Sequence, residues 1–149
     1  MTYVESNLMP GEQIVAIAKV HWWVYAPGVF LLLIGLALVN QTGGFGWFLI
    51  MSALFLSIRA WLLSYTTELA ITNKRVIAKF GFISRSTIEL LHAKVEGFHV
   101  EQSIMGRTLN FGTVVVNGTG ASKTPIPRIA APLEFRKSAL GAIEANPKA

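Results

Sequence analysis

At 149 residues the chain is long enough for one modest domain plus an anchor. It is 52% hydrophobic and only 14% charged, with a mean hydropathy of +0.50. Soluble domains carry roughly a quarter charged residues, so a large apolar segment must be hidden or sit in lipid. The absence of cysteine excludes disulfides, thiolate metal sites and cysteine nucleophiles, and with no Asp all eight acids are Glu.

Residues 1–21 hold Glu5, Glu12 and Lys19 and form an N-terminal segment. Pro10-Gly11 is a turn signal, and the apolar stretch Gln13–Val20 suits a strand or a short interfacial helix, the strand being the favoured reading.

Residues 22–63 are different in kind. From Trp22 to Ile58 there is no charged residue, a run of 37. Trp22–Val39 and Phe45–Leu63 are apolar runs of 18 and 19 residues, the second interrupted only by Arg59. As helices each spans roughly 27–29 Å, close to the hydrocarbon thickness of a bilayer. Asn40-Gln41-Thr42-Gly43-Gly44 can turn but not cross, so the segments predict an antiparallel transmembrane hairpin. Trp22, Trp23 and Tyr25 cluster at one end, and Trp47 and Trp61 stand near the ends of the second helix, where amphipathic rings prefer headgroup level.

The turn carries no Lys or Arg, whereas Arg59, Lys74, Arg75 and Lys79 follow the second helix closely. That asymmetry predicts a multi-pass protein of the bacterial cytoplasmic (inner) membrane with both termini cytoplasmic. Arg59 lies about one turn from the cytoplasmic end of its run, where a long side chain snorkels to the headgroups.

Residues 64–149 carry eleven Lys and Arg against six Glu. The pattern here is of short strands: Tyr65–Ile71, then Arg75–Phe80 after the turn Thr72-Asn73-Lys74, then Ser84–Leu90, Val95–Glu101 and Gly112–Asn117. Lys123–Ile129 is a further strand that Pro125 and Pro127 restrict to an edge. Such spacing indicates an antiparallel barrel or sandwich. Pro132 then opens a helix, with Phe135, Ala139, Leu140 and Ile143 on one stripe, suited to plug the open end of a barrel.

Several of these residues recur in a familiar order. Gly11-Glu12 precedes His21-Trp22 and a hairpin, and Thr72-Asn73-Lys74-Arg75-Val76-Ile77 precedes Gly81. Val95 to Ser103, Gly106-Arg107, Phe111 to Val114 and Pro132 to Arg136 follow. From Gly11 to Ala139 the chain resembles the bacterial PH-domain-like membrane proteins, the second bacterial PH family. The resemblance implies a bent antiparallel barrel of pleckstrin-homology type capped by a C-terminal helix. One departure is Ala131, where such proteins often place Asp; Ala cannot accept from the helix N-terminus, a lost cap worth about 1 kcal/mol. Asn73 suits a turn with positive φ, Gly81 a position between hairpin strands, and Gly112 a bulge.

No catalytic constellation emerges. Asn117 to Thr124 is superficially like a phosphate-binding loop, but Ser122 stands where Gly is required, and prolines rather than a helix follow. His92 and His99, with no Cys or Asp to complete a shell, read as surface or interface histidines. No cofactor, metal or nucleic-acid site is expected. The candidate surface is electrostatic: Lys74, Arg75, Lys79, Lys123 and Arg128, with Arg85, Arg136 and Lys137 adding to the positive excess. Near an anionic leaflet each is worth up to about 1 kcal/mol.

The expected function is a non-enzymatic, membrane-anchored PH-like scaffold or interaction module. Its partners would be membrane lipids together with copies of itself or another membrane protein. Small residues, Gly28, Gly35, Ala53 and Ser57, favour close helix packing and hence self-association. Rival readings are an anionic-lipid headgroup sensor and a small oligomeric channel or transporter subunit.

Overall fold

The computed structural model describes residues 3–81, 86–119 and 122–146, and they form two compact units. One unit joins Met1–His21 to Thr66–Ala149, and the other is Trp22–Tyr65.

In the first unit a four-stranded antiparallel sheet runs in the order β1 (Ile14–Ala18), β2 (Glu68–Thr72), β3 (Arg75–Phe80) and β4 (Ser86–Leu91). A three-stranded antiparallel sheet follows, β5 (Val95–Glu101), β6 (Phe111–Gly118) and β7 (Ser122–Ala130). The strand expected over Gln13–Val20 is β1. It pairs with β2, placing Ala18 opposite Leu69 across the whole of the intervening hairpin sequence. The N-terminal segment therefore supplies part of the β domain's own sheet.

Two expectations change here. The sheets do not close into a barrel: β4 passes to β5 through a 3-10 turn, His92–Lys94, and on the other side, among the described residues, one isolated bridge, Val20 to Ile129, joins the chain after β1 to β7. A helix that sequence periodicity did not reveal, α4 (Ile104–Leu109), leads from β5 to β6. It is only six residues long, too short for an apolar stripe to register. Its local signal is Ser103, whose hydroxyl accepts from the Gly106 amide at 3.0 Å as an N-cap.

Alternation of apolar residues explains the core. Leu69, Ile71, Val76 and Ala78 from the first sheet meet Phe98, Val114, Val116, Ile126 and Ile129 from the second. The C-terminal helix α5 (Pro132–Ala145) fills the space between with Phe135, Ala139 and Ala142. Strict alternation would set Val95 on the face opposite Phe98; a register shift between Val95 and Gly97 lets Val95 pack on the core as well. The other face of the first sheet is covered too. Ala70 and Ile77 pack on Val4 of a short N-terminal helix, α1 (Tyr3–Ser6). This is why β2 is apolar on both faces.

Turn chemistry agrees in most details. Gly81 has φ +97° just after β3, and the β6–β7 register shifts between Gly112 and Val114. Ala131 caps α5 in a left-handed conformation (φ 46°, ψ 54°) with no side-chain cap bond. β7 is an edge strand, as its prolines require. Asn73, however, does not take positive φ. Its side chain works instead, accepting from the Gln13 amide at 3.0 Å and donating to the Gly11 carbonyl at 3.2 Å.

The second unit is a helical hairpin. A 3-10 turn at Trp22–Tyr25 leads into α2 (Ala26–Thr42), which runs on through most of the polar turn until Gly43 at φ +54°. α3 (Gly44–Thr66) continues three residues past the apolar run. Trp22–Thr42 and Gly44–Thr66, 21 and 23 residues, are each long and apolar enough to cross a membrane. Their outward side chains include Phe30, Leu33, Phe48 and Phe55, all well exposed. Arg59 is exposed on the same outer surface of α3.

Small residues bring the two helices together. A Cβ on Gly28 would lie 2.6 Å from Ser57 Oγ and 3.3 Å from the Ala53 carbonyl, and one on Gly35 would lie 3.1 Å from the Ile50 amide. The residues that the sequence offers for self-association are thus consumed within one hairpin.

Candidate functional site

The β domain has two ends. At one lie the β2–β3 turn, the His92–Lys94 turn and the β6–β7 tip; at the other, β1 leaves for α2 and β2 begins after α3. We call the second the exit end.

Arg75, read from sequence as a surface charge, is buried at 5% exposure near the first end. Glu12, 6% exposed, is the reason. Glu12 Oε1 accepts from Arg75 Nε at 2.9 Å and from Thr72 Oγ1 at 2.7 Å. Its Oε2 accepts from Arg75 Nη2 at 3.0 Å and from the Met9 amide at 2.7 Å. Arg75 also donates to the Asn7 carbonyl at 2.9 Å and pairs with Glu89 on β4. One guanidinium thus joins the N-terminal segment to β3 and β4, with the planar fork that a lysine lacks. The recurring pairs Gly11-Glu12 and Thr72 to Arg75 were the signal in the sequence; what hid the ion pair was the separation of 63 residues.

Burial alone would raise the Glu12 pKa, but hydrogen bonds from Arg75, the Met9 amide and Thr72, with the Arg75 charge, outweigh it and hold the carboxyl below its ordinary value. The Glu12 hydrogen bonds, against the opposing effect of burial, raise the Arg75 pKa. A carboxylate whose folded pKa is depressed stabilises fully above its unfolded pKa and loses that contribution as pH falls through the folded value. The β domain should therefore keep this contribution above about pH 4.5, the ordinary Glu value, and lose it below. Far-UV circular dichroism of Glu12→Gln against the native chain checks this: the variant should show a shallower acid dependence.

The other basic candidates do not form one face. Lys74 sits on the β2–β3 turn, its ammonium donating to the Pro10 carbonyl at 2.9 Å. Lys123 is at the β6–β7 tip opposite Asn117. Lys79 stands near the exit end, opposite Glu68 on β2, and Arg128 is at the exit end of β7. Lys123 and Arg128 are five residues apart on one strand, about 17 Å. Arg85 lies outside the described residues. Arg136 and Lys137 are exposed on α5.

Arg128 acts through its backbone. Its φ of +61° is unusual for a residue with a side chain. It allows the Arg128 carbonyl to accept from the His21 amide at 2.7 Å while the Ala130 amide donates to the Lys19 carbonyl at 2.9 Å. The His21 ring packs on Phe111, centroids 5.2 Å apart. The last residues before the hairpin are thereby tied to β6 and β7.

The histidines separate. His99 is exposed, with Glu101 at 3.8 Å. His92 is not a surface residue: it is 2% exposed, packed where the two sheets meet, with Nδ1 3.4 Å from the Asn146 carbonyl. Of the stretch from Asn117 to Thr124, Asn117 and Gly118 pair with Lys123 and Ser122 as antiparallel strands, while Gly120 and Ala121 lie outside the described residues. A cleft of about 380 Å³ at the exit end lies between Glu101–Ser103, Phe111–Thr113 and Arg128. The Gln102 amide there is committed to the carbonyls of Phe111 (3.1 Å) and Gly106 (3.3 Å). What the domain offers is surface and strand edge.

Comparison with curated proteins and with solved structures finds no match. The model of the family described as "Bacterial PH domain" matches residues 14–142, from the start of β1 to within α5. That span takes in both sheets, α4 and the inserted hairpin, so the chain belongs to the bacterial PH domain family.

Proposed function

We propose that this bacterial PH protein is a non-enzymatic, membrane-anchored interaction module. The hairpin spans the cytoplasmic membrane with both termini inside, and the β domain is displayed at the cytoplasmic face to bind protein partners or further copies of the chain. One observation carries the reading. The two membrane-length helices are inserted between β1 and β2, neighbours in one sheet, with only three residues between β1 and the Trp22 turn and one between α3 and β2. Both crossings therefore join the domain at adjacent strands.

The rivals fare less well. A headgroup sensor needs its cations on one face, whereas Arg75 is spent internally and Lys74 and Lys123 lie opposite Arg128. A channel needs a wet helix face. Ser52 and Ser57 instead donate to the carbonyls of Phe48 and Ala53 in their own helix, both at 2.9 Å.

The cysteine-free chain makes topology directly testable. Gln41→Cys should react with a membrane-impermeant maleimide from outside, and Lys137→Cys only after lysis; the reverse pattern overturns the orientation. Crosslinking in native membranes, followed by intact mass measurement in mild detergent, should give an assembly larger than one chain. A bare monomer overturns the scaffold reading.

A further inference from the structure

The exit end carries exposed apolar side chains that the core does not explain. Ile104 is 84% exposed and Met105 54%, as the first two residues of α4; Leu133, in the first turn of α5, is 54% exposed. Other large apolar side chains of the domain are exposed too, Met9 at 51%, Val15 at 50% and Leu91 at 47%, but none approaches Ile104. Ile104, Met105 and Leu133 are also held in place. Ser103 caps α4 and Asn110 ends it in a left-handed conformation. The Asn110 carbonyl then accepts from the Ala131 amide at 2.9 Å, tying the end of α4 to the start of α5. Gly106 within α4 and Gly112 beyond it cannot carry a Cβ without meeting the Phe111 carbonyl at 2.6 Å or the Glu101 carbonyl at 2.7 Å, so the α4 turn is tightly built.

Position says what covers these side chains. Phe111, two residues beyond α4, stacks on His21, the last residue before the hairpin. α4 itself is only about 8 Å long. Both chain crossings leave from this end, since Ala18, the last residue of β1, pairs with Leu69 near the start of β2. Charge does not single out an anionic partner here. Among the described residues Lys19, Lys79, Arg107 and Arg128 stand against Glu68, Glu101 and Glu134, a near balance.

We propose that Ile104, Met105 and Leu133 form a membrane-contact patch that dips into the interfacial layer of the bilayer beside the point where the hairpin enters it. The inference rests on the reading that the hairpin spans a membrane. Apolar contact supplies the affinity, in the manner of an interfacial helix face, and the β domain is thereby held in one orientation rather than swinging on its connectors.

The test uses the full chain reconstituted in vesicles of phosphatidylcholine with phosphatidylglycerol. Spin labels are attached singly at Ile104→Cys, Leu133→Cys, Phe55→Cys in the hairpin and Lys123→Cys at the far end. The ratio of collisions with oxygen to those with a water-soluble nickel chelate is measured for each. We expect the ratio at residues 104 and 133 to exceed that at residue 123 several-fold, approaching the value at residue 55. A lipid-like value at 55 with water-like values at 104 and 133 overturns the patch and leaves the membrane reading intact. A water-like value at 55 removes that reading and the patch with it. Dipolar broadening at 104 without oxygen enrichment assigns the patch to a second copy and likewise overturns the proposal.

Discussion

Arg75→Ala should destabilise the β domain by about 3–5 kcal/mol, the usual cost of removing one partner from a buried ion pair. The loss does not come from the Coulombic attraction alone. Without the guanidinium, Glu12 remains buried with a full charge, the Thr72 hydroxyl and Met9 amide its remaining donors. Glu89 and the Asn7 carbonyl each lose the hydrogen bond from Arg75. Replacing both charges by apolar residues of similar volume, Glu12→Leu with Arg75→Met, should recover much of the loss, because no uncompensated charge is then left. Denaturant unfolding in mild detergent measures both, provided the signal comes from the right unit. All four tryptophans (Trp22, Trp23, Trp47 and Trp61) lie in the hairpin, so intrinsic fluorescence reports that unit. The β-sheet signal in far-UV circular dichroism reports the other. A single variant that unfolds with native stability would show the pair to be energetically idle.

Phe135→Ala should cost a similar amount, about 3–5 kcal/mol, through the cavity it leaves. Phe135 is buried on the inner face of α5, its ring edge-on to Phe98 with centroids 6.4 Å apart. α5 packs against β1, β2, β5 and β6, so it touches both sheets. Since those sheets do not close into a barrel, α5 is what fills the gap between them, and a hole at Phe135 is felt on both sides. Leu133→Ala, two residues earlier on the same helix, is the internal control. Its side chain is exposed, and the change should stay within about 0.5 kcal/mol. Equal effects at the two positions would mean that α5 does not dock as described.

These two results bear on how much of the protein is legible without coordinates. The hairpin was plain from Trp22 to Leu63, because length and the near-absence of charge, Arg59 apart, are properties of a contiguous run. Seven strands and α5 were legible for a similar reason: alternation and turn residues are local. Their boundaries moved by a few residues, as at β2, which starts at Glu68 rather than Tyr65 because the helix before it runs on to Thr66. Two short helices, α1 and α4, escaped notice because four and six residues hold no period to detect.

The candidate site fared differently. A list of cations says nothing of which face each occupies, and Arg75 showed how far that can mislead. As a lone residue it reads as surface charge. In the fold it meets Glu12 across 63 positions and disappears from the surface. His92, read as a surface or interface histidine, is likewise buried, on the turn that joins the two sheets. Gly28, Gly35, Ala53 and Ser57 offered a surface for another molecule, but Gly28 faces Ala53 and Ser57, and Gly35 faces Ile50 and Gly46, within the hairpin.

By itself the sequence determined that the chain holds two membrane-length apolar helices and a small antiparallel β domain, because periodicity, charge and turn chemistry are written along the chain. Tertiary structure alone decided that β1 belongs to the sheet beyond the hairpin, that two sheets meet without closing, and which charges and apolar side chains remain at the surface. Those are matters of which distant residues come together, and burial is a property of the neighbours a side chain meets rather than of its own type.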